Sequence, residues 1–286
     1  MTGLLQTIIF GLATGAVISL SAVGLSLSYG VTRFINFSYG ELLTLGAYLT
    51  VVAVSFGWPL PLAALAVMVV VGIVGVLLAR QFFDPILERG FLPLLVTSVG
   101  LAFVLQNLVR ITFGSSPIRF PLPLLRPWRA GELFLPKVPV LVVVIAIIAM
   151  LAVHLMLRYS RMGKMMRATS DNPTLARASG IATARVLATT WFLSAAIAAL
   201  GGVLLGMTQI ALQPIMGWSF LLVVFAAVLL GGIGNPYGAM LGALIVGLGI
   251  ELGATYIAPD YGHAFAFALL VVVLLIRPRG LLRGSF

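Results

Sequence analysis

Two carboxylates, Glu41 and Glu251, stand inside long apolar stretches, and so does one guanidinium, Arg110. Ionisable side chains in such surroundings are expensive, which makes each a candidate for a function. Glu41 follows Ser38 by three residues, so a local account competes: Ser-x-x-Glu is also the capping box of a helix start. Glu251 has no basic residue near it in sequence. Arg110 lies four residues after Gln106, with Asn107 between them, on a helical face from which it could pair with an acid of another segment. Other chemistries lack their parts. With no cysteine, there is no thiolate nucleophile, disulfide or Cys-ligated metal. His154 and His263 are isolated and form no metal-ligand pattern, so no metal is expected. Gly217-Trp218-Ser219 together with His263 could suggest a serine nucleophile and its base, but Phe220 stands where the second Gly of such a motif belongs. No Gly-x-x-x-x-Gly-Lys-Ser/Thr loop is present, so ATP hydrolysis is not expected of this chain, nor any other catalysis or bound cofactor.

The elements that hold these groups follow from composition. Of 286 residues, 61% are hydrophobic and only 8% charged, and mean hydropathy is +1.18. Soluble domains carry about 25% charged residues, so a soluble core and a disordered chain are both excluded. The apolar runs are continuous rather than alternating, which favours membrane-spanning helices over a barrel. A span needs about 20 apolar residues. Nine stretches qualify or nearly qualify: Leu4–Tyr29, Ser38–Phe56, Leu60–Ala79, Leu92–Phe113, Val138–Leu157, Leu187–Met207, Phe220–Ile233, Tyr237–Ile257 and His263–Ile276. The expectation is a single all-α polytopic transmembrane bundle over residues 1–286, with eight or nine membrane segments. Ser38–Phe56 opens on polar residues and either crosses or re-enters. Residues 1–30 lack the basic lead and short apolar core of a cleavable leader.

Loop charges orient the bundle. Arg80 and Arg89 share one loop. Arg158, Arg161, Lys164, Arg167, Arg177 and Arg185 share another, and Arg277, Arg279 and Arg283 follow the last stretch. The positive-inside rule makes that side, and with it the C-terminus, cytoplasmic in a cell (inner or plasma) membrane. The opposing loop Gly114–Lys137 runs against the rule with Arg119, Arg126, Arg129 and Lys137, partly offset by Glu132. A net charge of +10 is then a membrane-topology signal rather than a nucleic-acid one.

Within the basic loop, residues 158–185, Asp171-Asn172-Pro173 marks a helix start and Gly180 its stop. Two turns of helix are not stable alone in water and must pack on something. One reading places this helix on the lipid surface. The sharper one makes it a docking helix that offers Leu175, Ala176, Ala178 and Ile181 to a cytoplasmic partner, flanked by Arg177. Two Gly-rich clusters mark breaks. Asn36 to Glu41 includes Tyr39 and Gly40, and Gly231-Gly232-Ile233-Gly234-Asn235-Pro236-Tyr237-Gly238 cannot be regular helix. Unwound backbone of this kind must be protected by protein or line a cavity, so both clusters are read as hinge or path. Each has an Asn followed by Tyr-Gly, as a remnant of an internal repeat would. Elsewhere the glycines are read as helix-packing positions, among them Gly11, Gly15, Gly242 and Gly247.

The run Gly24 to Tyr48, with Tyr29-Gly30-Val31, Asn36-Phe37, Gly40-Glu41 and Gly46-Ala47-Tyr48, resembles the N-terminal signature of the branched-chain amino-acid ABC-transporter permeases. Arg167-Ala-Thr-Ser-Asp171-Asn172-Pro173 through Gly180-Ile181 is similar to that family's ATPase-docking loop, and Leu230 to Gly242 is similar to its second Gly-rich signature. Ser38-Tyr39 departs mildly from the small residue or His usual there. The length suits the H-type subunit. The resemblance implies an importer subunit that pairs with a related M-type permease, is driven by two cytoplasmic ATPases and is supplied by an extracytoplasmic solute-binding protein. It implies Leu, Ile or Val as substrate, although relatives take other amino acids, amides, urea and small carboxylates. On that reading Asn172, Pro173, Leu175, Ala176, Arg177, Ala178, Gly180 and Ile181 couple to the ATPase, while Asn36, Tyr39, Gly40, Glu41, Gly231, Gly232, Gly234, Asn235 and Glu251 line the path or its hinge. A stand-alone secondary transporter using Glu41 and Glu251 for ion coupling is the alternative.

Overall fold

The computed structural model describes residues 2–122, 128–130, 133–258, 261–277 and 280–282. Of the loop charges, Arg126, Glu132, Arg279 and Arg283 lie outside the described residues, as does the side chain of His263. Eleven α-helices are described: α1 (Thr2–Thr32), α2 (Tyr39–Ser55), α3 (Leu60–Leu78), α4 (Phe91–Phe113), α5 (Lys137–Tyr159), α6 (Arg161–Asp171), α7 (Pro173–Ala178), α8 (Thr183–Gln209), α9 (Met216–Gly231), α10 (Pro236–Tyr256) and α11 (Gly262–Ile276). Each of the nine apolar stretches is helical. Six of the described helices are long and apolar enough to cross a membrane; α2, α9 and α11 are shorter. The third helix runs on through a π turn (Ala79–Phe83) and a 3-10 turn (Asp84–Arg89).

The core is built on α1 and α8, the two most enclosed long helices. Helix α1 lies antiparallel to α10, its most extensive partner. The reason is in the sequence: a methyl on Gly247 would collide with Gly15, so these two glycines let the backbones touch. Hydroxyls then link the helices, Ser19 donating to Met240 O at 3.2 Å and Ser194 to Gly24 O at 2.8 Å. The outer faces of α3, α4 and α5 remain apolar and exposed, as at Leu65, Ile111 and Ile148. Such a belt is suited to hydrocarbon or to another apolar subunit and would be a liability in water.

The contacts place the chain's segments at two ends of the bundle. At one end Gly30 and Arg33 meet Ser170, His154 meets Tyr237, and the segment after α11 pairs with α9 through Leu281 N to Leu230 O, 2.9 Å. At the other, Thr7 meets Thr255 at 3.5 Å, and the short strand β1 (Ile118–Arg119) pairs with β4 (Ala211–Leu212). A second two-strand pair, β2 (Trp128–Ala130) with β3 (Leu133–Leu135), belongs to the same long loop. Residues 2 and 282 are thus at opposite ends.

Candidate functional site

The basic loop folds into α6 and α7. Ser160 caps α6 by accepting from Gly163 N at 3.0 Å, and Arg167 reaches back to the last turn of α5, donating to Leu157 O at 2.7 Å. A cation there satisfies a carbonyl that the helix itself leaves open. Asn172 starts α7 as its type suggests: its Oδ1 accepts from Leu175 N at 2.9 Å, with Pro173 in the first turn. Gly180 stops it with φ +83°, while Ile181 N donates to Ala176 O at 3.0 Å. The surface offered outward differs from the expected one. Leu175 is 63% exposed, and Arg177 and Ala178 are also exposed, but Ala176 is 4% exposed and faces inward, with Ile181 half-buried. With six residues the helix has one face to give away, and Ala176 holds it to the protein.

This unit is tied to the end of α1. Ser170 Oγ donates to Gly30 O at 2.6 Å, and Arg33 Nη2 donates to Ser170 O at 2.7 Å. Arg33 carries φ +60°, a conformation uncommon outside glycine, and there the chain leaves α1 and turns back. Residues 33–38 run from this end into the bundle. Phe34 is buried between Phe83 and Trp191, with ring centroids at 5.3 and 6.0 Å. Phe37 packs on Phe225 at 5.1 Å. Buried Asn36 turns the chain, its Oδ1 accepting from Ser38 N at 3.0 Å and Ser38 Oγ at 2.7 Å. The Ser38 hydroxyl is therefore spent on Asn36, and the capping box with Glu41 does not form.

Helix α2 begins inside the bundle. The Tyr39 hydroxyl donates to Ser21 O, midway along α1, at 2.8 Å. Gly40 lies against the backbone of Gly217 in the first turn of α9, and Gly217 N donates to Thr44 Oγ1 at 3.1 Å. Trp218 stacks on Phe103, near the middle of α4, at 5.5 Å. The two short helices thus start from one interior point and run apart. Helix α2 heads toward the β1 end, where Tyr48 packs on Phe113 at 5.0 Å, and α9 heads toward the end that holds α6. Glu41 lies at this meeting point, 0% exposed, with no hydrogen-bond donor on either oxygen among the described residues. Thr44 on the same helix and Arg110 on α4 lie within electrostatic reach of it. Two helix N-termini nearby supply partial positive charge, the setting in which a buried acid is tolerated.

The second Gly-rich cluster forms the turn between two helices, where the sequence divides Phe220–Ile233 from Tyr237–Ile257. Helix α9 ends at Gly231, Gly232 and Gly234 take φ +112° and +82°, and Asn235 restarts the chain by accepting from Tyr237 N and Gly238 N at 3.0 and 3.2 Å. Gly231 and Gly238 touch backbone to backbone. The two Asn-x-x/Tyr-Gly clusters therefore share a device, an Asn oxygen that starts a helix. They also share a cavity: about 220 Å³ of apolar space lies between Ile35 and Phe37 at the first cluster and Ile233 within the second, closed by Leu25, Tyr29 and Phe225.

Glu251 is elsewhere. It is on α10 at the β1 end, half-buried, and accepts from Thr14 Oγ1 at 2.8 Å. It lines a different cavity together with Arg119. The structure does not bring Glu41 and Glu251 together. Sequence reasoning missed Ser170, Arg33 and Arg119; their signal is tertiary, since each acts on a segment more than ninety residues away.

Residues 7–274 match the family model described as branched-chain amino acid transport system, permease component. The chain belongs to that family. It is 35% identical to the high-affinity branched-chain amino acid transport system permease protein LivH of Escherichia coli (strain K12), over 97% of this chain and 95% of that one. It is 30% identical to the corresponding protein BraD of Pseudomonas aeruginosa, with the same coverage. Among solved structures, PsaBC from Streptococcus pneumoniae in complex with Fab aligns with a TM-score of 0.48 at 14% identity, covering 97% of this chain and 91% of that one. As a member of this permease family the chain is a multi-pass membrane protein and a transport subunit.

Proposed function

We propose that this permease is the H-type membrane subunit of an ATP-driven importer for branched-chain amino acids. It pairs with a related M-type permease, docks two cytoplasmic ATPases on residues 158–185 and receives substrate from an extracytoplasmic solute-binding protein. The observation that carries the reading is the double tether of Ser170 to Gly30 and Arg33. A displacement of α6 and α7 by an ATPase is passed to the point where α1 gives way to the Asn36 turn, and from there to the start of α2. The apolar cavity between the two Gly-rich clusters is of a size and polarity to pass an aliphatic side chain. The basic end is cytoplasmic by the positive-inside rule, in a cell membrane. With residues 2 and 282 at opposite ends, the chain then traverses nine times, α2 included, and residue 2 is outside.

The test is transport in proteoliposomes holding this permease, its paired permease and the ATPases, with the binding protein outside. Uptake of labelled leucine that requires ATP hydrolysis supports the reading. ATP-independent uptake driven by a proton or sodium gradient overturns it in favour of a secondary transporter built on Glu41 or Glu251.

A further inference from the structure

The cavity at the β1 end has a composition that the coupling mechanism leaves unexplained. It measures about 450 Å³, within the roughly 300–1,000 Å³ range of small-molecule sites. Most of its wall is apolar and much of that is buried: Ala13 of α1, Phe120 after β1 and Met207 of α8 are all enclosed. Two side chains of opposite charge break this wall, Arg119 and Glu251, and they are carried by different elements, β1 and α10. Arg119 is held on β1, paired in register with Ala211, and the next residue is anchored by Phe120 N to Ile210 O at 2.7 Å. Glu251 is held on α10 one turn beyond Gly247, where α10 touches α1, and the Thr14 hydroxyl donates to its Oε1. Each charge thus has its own backbone support.

From this arrangement we infer that the cavity is a binding site for a free zwitterionic α-amino acid with an aliphatic side chain. Arg119 receives the α-carboxylate, Glu251 receives the α-ammonium beside Thr14, and the wall of Ala13, Phe120 and Met207 takes the side chain. The chemistry follows from the inventory. A guanidinium presents paired N–H donors that match a carboxylate, and a carboxylate is acceptor-only and matches an ammonium. A ligand that was only an anion or only a cation would engage one of the two charged groups and leave the other without a contact. Net neutrality with separated charge satisfies both. The inference rests on the importer reading for the choice of leucine as the probe and for the position of this end outside the cell. It adds that the permease itself, and not only the binding protein, recognises the two charged groups of its substrate.

The experiment uses the full complex of both permeases and the ATPases, purified without the solute-binding protein. Equilibrium binding of labelled L-leucine is measured for the wild type, Arg119→Gln and Glu251→Gln, with 4-methylpentanoate (no ammonium) and 3-methylbutylamine (no carboxylate) as competitors. Gln at 251 retains an oxygen for Thr14, and Arg119 is exposed, so both variants should assemble; size-exclusion profiles verify this. Each variant should weaken leucine binding by at least about tenfold, the effect of losing a charge-assisted contact. Arg119→Gln should abolish competition by 4-methylpentanoate and spare that by the amine, and Glu251→Gln should do the reverse. Wild-type binding by both variants overturns the inference. So does an equal effect of both variants on both analogues, or no binding to a wild-type complex that transports leucine. If the variants instead lose only association with the solute-binding protein, Arg119 and Glu251 belong to a protein contact and the inference also fails. Transport by the wild-type complex separately decides the importer reading.

Discussion

Arg33 and Ser170 are 137 positions apart, yet the Arg33 guanidinium donates to the Ser170 carbonyl at 2.7 Å, and the Ser170 hydroxyl returns a bond to Gly30, three residues before Arg33. The contact joins the last turn of α6 to the last turn of α1. A helix pair on the bundle's basic end is thereby coupled to the segment that leads inward to Asn36.

Removing one tether should separate ATP hydrolysis from movement. Ser170→Ala deletes a buried bond worth about 1 kcal/mol, small against the stability of the bundle. Assembly should survive, while leucine moved per ATP hydrolysed falls severalfold in proteoliposomes. Arg33→Gln should act in the same direction. An unchanged ratio in both would remove the tether from the coupling route.

The α7 surface can be probed by two neighbouring substitutions with different outcomes. Leu175→Glu places a charge where 63% of the side chain is already exposed and should leave thermal stability near wild type while releasing the ATPases from the tagged permease. Ala176→Glu forces a carboxylate into a site only 4% exposed, costing several kcal/mol on the order of a buried unpaired charge, and should lower Tm or expression instead. Equal behaviour of the two would contradict the orientation of α7.

Glycine replacements should sort by backbone conformation. Gly234→Ala imposes a Cβ at φ +82°, at a cost of about 1–2 kcal/mol. Gly100→Ala meets nothing within 4 Å in a regular helix and should be neutral or slightly stabilising. Gly75→Ala, though it too lies in a regular span, would press on Ala195 and should behave more like Gly234→Ala. Thermal melts of the detergent-purified protein rank the three.

Topology can be read from single cysteines, since the chain has none of its own. Cysteine at Gly3 or Ser116, both exposed, should react with an impermeant maleimide in intact cells. Cysteine at Thr174, exposed on α7, should react only after permeabilisation. Protection at Gly3 with labelling at Ser116 would mean that α1 does not run the full depth.

What was legible in the sequence was local. Asn172, Pro173 and Gly180 bracket α7 because capping and positive φ are decided by residue type within a few positions, and apolar runs alone mark the nine segments, six long and three shorter. What was illegible depends on partners far along the chain. Ser38 and Glu41 have capping-box spacing, but Asn36 takes the serine hydroxyl and Glu41 is left at the convergence of two helix starts. Ala176 looks as presentable as Leu175 until the fold decides which side faces in. Composition placed a break between two apolar stretches at residues 231–238; that its two sides close up backbone to backbone needed Gly231 to meet Gly238. Nothing near Arg119 announces Glu251, because only the pairing of β1 with β4 and the approach of α10 to α1 put both on one cavity.

Gly40 and Gly217 touch through bare backbone at the point where α2 and α9 begin. Most helix contacts interlock like gear teeth, and sliding them requires side chains to leave their rotamer wells. Here the surfaces are smooth. At this one point the two half-helices can shear without a side chain of either glycine in the way, and the bond from Gly217 N to Thr44 marks the pivot. A motor acting at the basic end would turn α9 against α2 about this bare-backbone pivot, and the farther contacts, such as Phe37 on Phe225, would have to follow.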